Sequence, residues 1–484
     1  MKSLKTECIA KPPCLKGTEL TFLNLSSNFS NWNFRGYGML WAYNLNYMDW
    51  LGQENIGEVE GCKWIDCFIK NVLHVRNGRK IGLDPYPIAL RVVNWCKFFC
   101  RWPQAATQYR LDALYSQVRL LELNQEFHLL GNHLLEDYFS LFIASLFFND
   151  ERLFQLYSKK LFNQLGKQVL EDGAHFEQSP MYHCIMLDRL LDCCNFCASN
   201  SYIEERKAAY SRLCEFAERM LGHLSAITFE NGDIPLMNDS AVGIAPTSHQ
   251  ILDYSKRLGV NPKEIPLGAS GYRKMKCGCF EAIVDIGNIT ATYQPGHTHA
   301  DTLNYELRLN GRPIVVDTGI STYEKTQRRQ YERSSAAHNT VTIGDNDSSE
   351  VWGGFRVGGR SRVALLVDEE HHVEALCKHY KGNKHRRSFR ILGEMFSVTD
   401  WVDEDAVSRI HLAPGVSIVD IEKEHDNYII KTDKAIISIN GAEEIMTCDS
   451  LVSNEYNRFQ TSKSIEIKFN HHLNYSIYEN SISR

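Results

Sequence analysis

The hydrophobic pattern of the chain changes period once. From about residue 60 to 260, apolar residues recur at spacings of three and four, the mark of helices with one buried face. The pattern predicts helices over Cys62–Val75, Pro87–Cys100, Leu111–Leu123, His133–Phe148, Glu151–Leu170, Pro180–Ala198, Ile203–Leu224 and Ser248–Leu258. Short connections join these consecutive helices, which predicts stacked helical pairs in a solenoid or closed toroid, and the lack of a repeat of fixed period argues against a regular repeat family. After a Pro-containing link at 261–268 the period becomes two. Alternating runs from CFEAIVDIG to SIEIKFNHH, separated by turn residues, predict a large antiparallel sandwich. The expected class is therefore α+β and multidomain, with a helical region over residues 1–265 and a sheet region over 270–484.

One stretch inside the sheet region, Gly296 to Gly344, concentrates candidate chemistry. It opens with His297 and His299, one residue apart, and continues into alternating residues on both sides of Asn310-Gly311. Such a pair tolerates positive φ and makes a tight hairpin turn. A hairpin folded there returns Asp317 beside Asn304, and His338 opens a further alternating run. His299, Asp317 and His338 then converge as two imidazoles and a carboxylate, a set that suits zinc. His297 points the other way along an extended strand and is left for a different task. The alternative is a pair of surface or capping histidines.

Other polar clusters fall in the helical half. Residues 32–51 interleave Trp41, Tyr43 and Tyr47 with Asn44 and other amides, which suits a wall facing carbohydrate, because sugar rings pack on aromatic faces. An amphipathic anchor is the alternative. Asn132 and His133 open a strongly apolar helix, where Asn also serves as a cap. Glu177, Gln178 and Tyr182 gather at the start of the helix that begins at Pro180. Arg333 and Arg356 belong to a run of arginines suited to carboxylates and sulfates, or else to solvated loop charge.

Composition narrows the class. The chain has 484 residues, 43% hydrophobic and 23% charged, with a formal charge of −6, which is globular and argues against nucleic acid as a partner. The first residues contain no apolar run long enough for a membrane anchor or signal peptide. The cytoplasm is expected, with the periplasm as the alternative if an export signal precedes this start. Fifteen cysteines without regular spacing do not form a secreted disulfide framework. Cys193, Cys194 and Cys197 read as small buried residues of an amphipathic helix.

Seven blocks occur in order: WAYNLNYMDWL at 41–51, DPYPIALRVVNW at 84–95, GNHLLED at 131–137, DGAHFEQSPMYH at 172–183, MNDSAVGIAP at 237–246, GHTHADTLNYEL at 296–307 and RSSAAHNTV at 333–341. With these blocks the sequence resembles the heparinase II/III superfamily of polysaccharide lyases, most of all its heparin-sulfate and alginate lyase branch. The resemblance implies an incomplete (α/α) toroid followed by an antiparallel β-sandwich. It implies an anionic, uronate-containing polysaccharide as substrate, cleaved by β-elimination to leave 4,5-unsaturated uronate ends. Asn132, together with His133, would neutralise the uronate carboxylate. Tyr182 would serve as general acid, and as base in one stereochemical case. His297 would be the other base, and either Tyr323 or Tyr331 would complete the site. The aromatic wall, the polar cluster and the arginine run read above would hold that substrate, through Trp41, Tyr43, Asn44, Tyr47, Glu177, Gln178, Arg333 and Arg356. His299, Asp317 and His338 would hold a structural zinc. A uronate C5-epimerase and a non-catalytic glycan-binding protein of a polysaccharide-synthesis system are the rival readings.

Overall fold

The computed structural model describes residues 3–75, 78, 80–201, 203–425 and 427–480. Contacts divide the chain into two units. The first comprises residues 1–169, 184–222 and 249–263, and the second 170–183, 223–248 and 264–484. Two segments from the helical half thus belong with the sheets. Hydrogen bonds explain why: the Asp172 carboxylate accepts from the backbone N–H of Gly268 and Ser270 and from the Ser270 hydroxyl. The Gln178 amide likewise donates to the carbonyls of Ser270 and Asn288 at 2.7 and 2.9 Å.

The first unit is built from the predicted helices. Glu58–Phe68 continues into a wider turn over Ile69–Leu73, and Pro85–Arg101, Gln108–Leu123, Gly131–Phe148 and Glu151–Gln168 follow. Pro85 stands at the first position of its helix, where its missing N–H costs nothing. Asp150 caps the helix Glu151–Gln168 by accepting from Leu153 N–H at 3.0 Å. Gly131–Phe148 is buried on nearly every face, as a helix apolar all round must be, and it packs on Pro85–Arg101 and Glu151–Gln168. The helices Pro180–Ala198 and Ser248–Leu258 have the predicted boundaries, and Ile203–Leu224 is observed as Glu204–Ile227. Cys193, Cys194 and Cys197 are fully buried. Two elements were not predicted: a helix at Gly38–Tyr47, inside the aromatic stretch, and a small three-stranded sheet over residues 15–28.

The second unit holds antiparallel sheets. The eight-stranded one runs, strand by strand, 362–369, 372–378, 384–392, 395–402, 472–479, 435–440, 427–432 and 418–424. One four-stranded sheet orders 444–452, 460–469, 406–411 and 341–343, and another 272–277, 280–285, 305–309 and 312–315. A single hydrophobic core draws on all three: Phe280, Leu307, Val341, Phe389, Ile410, Ile437, Ile465 and Tyr475 are all buried in it. The alternating run SFRILGEMFSVTDWV is two strands, a hairpin turning between Leu392 and Met395. Among the alternating runs, TATYQ at 290–294 forms no strand, and the strands Glu444–Val452 and His472–Glu479 are not among the runs recognised from the sequence. Asn310-Gly311 makes the expected turn, with Leu309 paired to Arg312 and φ of 52° and 73° at the two turn residues. Among the described residues no helix is long and apolar enough to cross a membrane.

Candidate active site

Three segments of the second unit meet at Asp239. Its backbone N–H donates to His297 O at 3.1 Å, its carbonyl accepts from the Ser179 hydroxyl at 2.6 Å, and His299 N–H donates to Asn238 Oδ1 at 3.0 Å. The Asp239 carboxylate is buried and receives four bonds. Arg329 grips it in bidentate fashion at 2.5 and 2.8 Å, His297 Nδ1 lies 2.9 Å from Oδ2, and His299 Nε2 lies 2.8 Å from Oδ1. Burial opposes its charge. The Arg329 guanidinium and the two histidine bonds outweigh burial and hold the carboxyl well below the usual carboxylate range. The expectation that His297 and His299 point apart is corrected: the residues between Gly296 and Ala300 form a turn, not a strand, and both rings face Asp239.

With Nδ1 of His297 against a carboxylate, the hydrogen-bond pattern assigns a proton to Nδ1. Nε2 lies 3.6 Å from Glu177 Oε2. The Tyr182 ring stacks on the imidazole with centroids 3.8 Å apart and planes 28° apart. The Tyr182 hydroxyl accepts from Tyr323 Oη at 3.4 Å. Burial raises the Tyr182 phenol above its ordinary value, against the opposing hydrogen bond from Tyr323, so it keeps its proton at neutral pH. Tyr323 packs in turn on Phe355 and Tyr456, at 5.1 and 5.3 Å. Tyr331 lies elsewhere, its hydroxyl directed to Ala336 O at 3.5 Å. Of the two candidate tyrosines, Tyr323 is the one beside Tyr182 and His297.

The residues expected to bind zinc are buried in the same unit. His338 Nδ1 lies 2.7 Å from Asp317 Oδ2, Asn304 Nδ2 donates to that same oxygen at 2.7 Å, and the His299 and His338 rings are 5.3 Å apart. Among the described residues no three or more His, Cys, Asp or Glu side chains stand in the arrangement of a metal cage. Even so, His299 Nδ1, His338 Nε2 and Asp301 Oδ2 are buried without hydrogen-bond partners. Two imidazole nitrogens and a carboxylate oxygen are of the types that suit zinc. The orphaned carboxylate, however, is that of Asp301, whereas both Asp317 oxygens are occupied, by His338, Asn304 and Gly319.

Several expected substrate contacts have other tasks. Gln178 adopts a left-handed φ of 59°, and its side chain bridges three backbone groups, at Ser270, Asn288 and Thr290. Arg333 is fully buried and donates to the carbonyls of Thr298, Trp352 and Arg356. Arg356 itself is exposed. In the first unit, Trp41 is a core residue whose indole donates to Leu25 O at 3.0 Å, and Asn44 bonds Leu40 O within its own helix. Tyr43 donates to Asp84 at 3.1 Å. Tyr43, Tyr47, Tyr86 and His133 form a row of rings with successive centroids 6.2, 5.8 and 4.5 Å apart. His133 Nδ1 lies 3.0 Å from Glu126 Oε2, and its neighbour Asn132 is buried in the first turn of Gly131–Phe148.

Sequence reasoning missed Asp239, Phe355, Tyr456 and Tyr86, and read Arg329 only as one of the run of arginines suited to anionic groups. Asp239 and Tyr86 fall within the blocks MNDSAVGIAP and DPYPIALRVVNW, so the motifs marked their places without giving them roles.

Comparison with known proteins bears on this geometry. The heparinase II/III-like C-terminal family model matches residues 260–482, and the heparinase II/III N-terminus model matches residues 101–259. The chain belongs to the heparinase II/III family. A heparin-sulfate lyase of Bacteroides stercoris is 22% identical over 302 residues, covering 56% of this chain and 43% of that protein. A heparin-sulfate lyase of Pedobacter heparinus is 26% identical over 209 residues, covering 38% and 31%. The matches thus span less than half the length of these curated relatives. The crystal structure of a heparinase III superposes with a TM-score of 0.70 at 15% identity, covering 93% of this chain and 79% of that one. At that identity the likeness speaks for the heparinase fold alone.

Proposed function

We propose that this member of the heparinase II/III family is a polysaccharide lyase that cleaves a uronic-acid-containing, anionic polysaccharide by β-elimination. The observation that carries the reading is the Tyr182 ring stacked at 3.8 Å on a His297 imidazole whose Nδ1 is fixed to Asp239. Elimination needs a base at the C5 proton and an acid at the C4 oxygen. His297 Nε2, with Nδ1–H directed to a permanently ionised carboxylate, is built to accept a proton and to bear the resulting charge. Tyr182, held neutral by burial, is built to give one. As the C5–H bond breaks, its electrons form the C4–C5 double bond, and the glycosidic oxygen leaves with the tyrosine proton. Tyr323, in hydrogen-bond contact with Tyr182, stabilises the phenolate that remains.

The C5 proton is acidic enough only when the adjacent carboxylate is neutralised, by the logic of an oxyanion hole. The family resemblance gives that task to Asn132, with His133 beside it. The family resemblance gives a zinc ion to His299, Asp317 and His338, where it would supply a structural tie between the histidine loop and the adjoining strands, and no proton step passes through it.

The names of the relatives, heparin-sulfate lyases, make sulfated glycosaminoglycans the first substrates to try. The experiment is a digest of heparan sulfate, heparin, hyaluronan, chondroitin, alginate and bacterial capsules in deuterated water, with products read by mass spectrometry. Shortened chains with unsaturated ends support the lyase. Deuterium at C5 without chain cleavage would mark an epimerase, and no change in any polymer would mark a binding protein.

A further inference from the structure

A short hairpin holds an aromatic ring at the edge of the Tyr182–His297 pair. Its strands pair Val351 with Val357 and Trp352 with Arg356, which leaves Gly353, Gly354 and Phe355 as the turn. Gly353 and Gly354 take φ of 59° and 82°, a conformation that glycine adopts without steric penalty. The turn is braced by the helix Gln327–Arg333. Arg329 donates from Nε and Nη2 to Gly354 O at 3.2 and 3.0 Å, and Gln330 donates to Val351 O at 2.8 Å. Arg333 donates to the carbonyls of Trp352 and Arg356, both at 3.3 Å. Two buried guanidiniums therefore fix the backbone of an otherwise exposed turn, and one of them, Arg329, also anchors Asp239.

The bracing positions Phe355. Its ring lies 6.1 Å from His297 edge to face and 5.1 Å from Tyr323, with the Arg329 guanidinium carbon 5.3 Å from its centroid. Phe355 is nevertheless 37% exposed and Trp352 47% exposed, and Arg356 beside them is exposed too. A rigidly held, water-facing ring next to buried proton-transfer groups has no packing purpose that burial would not serve better. Sugar rings present C–H faces that an aromatic face accepts, and a guanidinium alongside matches a carboxylate or sulfate.

We propose that the Phe355 ring is a substrate platform, which packs on a sugar ring of an anionic polysaccharide and sets the neighbouring uronate against His297, with Arg356 receiving an anionic group of the chain. The proposal rests on the lyase reading for the identity of the uronate and on the hairpin geometry for the platform. Phe355 would be a binding and positioning residue, since it has no proton to move.

Two readouts test it on the full chain. With the polysaccharide that supports turnover, F355A should raise KM about tenfold while kcat falls much less, and F355W, which keeps an aromatic face, should recover most of the loss. Affinity electrophoresis in gels containing heparan sulfate or alginate, in a Tyr182→Phe background, reads binding without turnover. There F355A should weaken retardation about tenfold and F355W retain it. Unchanged KM and retardation in F355A overturn the platform, as does failure of F355W to rescue a variant whose melting temperature is normal. Retardation that depends on Phe355 without product from any polymer overturns the lyase reading and supports the platform. A wild-type chain that is neither active nor retarded overturns both.

Discussion

Asp239 Oδ2 lies 2.9 Å from His297 Nδ1, and this contact decides which imidazole nitrogen faces the buried carboxylate. Asp239→Asn replaces the acceptor with a group that also donates, releases the tautomer and leaves Arg329 without its counter-charge. We predict a fall in kcat of roughly two to four orders of magnitude. Stability should drop by about 3–5 kcal/mol, the usual consequence of removing one partner of a buried ion pair. Steady-state kinetics and urea unfolding check both. Normal kcat in a stably folded variant would remove Asp239 from the account.

Tyr323 and Tyr331 make a matched pair for mutation. Tyr323→Phe deletes the hydroxyl that lies 3.4 Å from Tyr182 Oη and should lower kcat by roughly 10- to 100-fold with little change in melting temperature. Tyr331→Phe deletes only a long contact to Ala336 O and should leave kcat within about twofold. The opposite ranking would move the site toward Tyr331.

Acid sensitivity follows from two buried histidines. Burial lowers His175 from 6.5 to about 4 against the opposing charge of Glu177, and His223 to about 4 against that of Asp172. Between pH 6.5 and 4 the unfolded chain binds protons at these residues and the folded chain does not. Their contribution is therefore complete above pH 6.5 and is lost as pH falls toward 4. The loss approaches about 1.4 kcal/mol per pH unit for each histidine. Buried acids such as Asp137 and Glu306, both raised to about 8 by burial, shift the wild-type midpoint the opposite way. The measurement is therefore the urea midpoint of the wild type relative to His175→Gln and His223→Gln at pH 7 and pH 5. A difference that does not change with pH would contradict the assignment.

Zinc is tested by composition and stability together. The purified chain should carry about one zinc per molecule, and Asp317→Ala should lose both the metal and several degrees of melting temperature through the linkage of binding to folding. Metal analysis by plasma mass spectrometry is the measurement. A wild-type chain free of zinc whose melting temperature ignores chelator would dismiss the ion.

The helices were legible because apolar residues recur along them at spacings of three and four, and Pro180–Ala198 and Ser248–Leu258 were read with their observed ends. The Asn310-Gly311 turn was legible from local φ preference, and with it the approach of Asp317 to Asn304, whose side chains bond at 2.7 Å. The helix Gly38–Tyr47 was hidden because its buried face is made of Trp41, Leu45 and Tyr47 among polar residues, which reads as a binding surface. Tyr182 and His297 were found through motifs. Asp239 and Arg329 were not, because their pairing joins residues 90 apart and no local period reports a long-range ion pair. Arg333 was misread for the same reason: its partners are backbone carbonyls of distant turns, which composition does not show.

The most direct test of the central claim is the ultraviolet absorbance of 4,5-unsaturated uronate released from the polysaccharide panel by the wild-type chain and by Tyr182→Phe. The account predicts a steady rise with at least one uronate polymer for the wild type. It predicts no measurable rise for Tyr182→Phe at an unchanged melting temperature, since the ring and its stack on His297 remain while the proton is gone. Equal rates for the two proteins would contradict the assignment of Tyr182, and a flat trace for the wild type on every polymer would contradict the lyase itself.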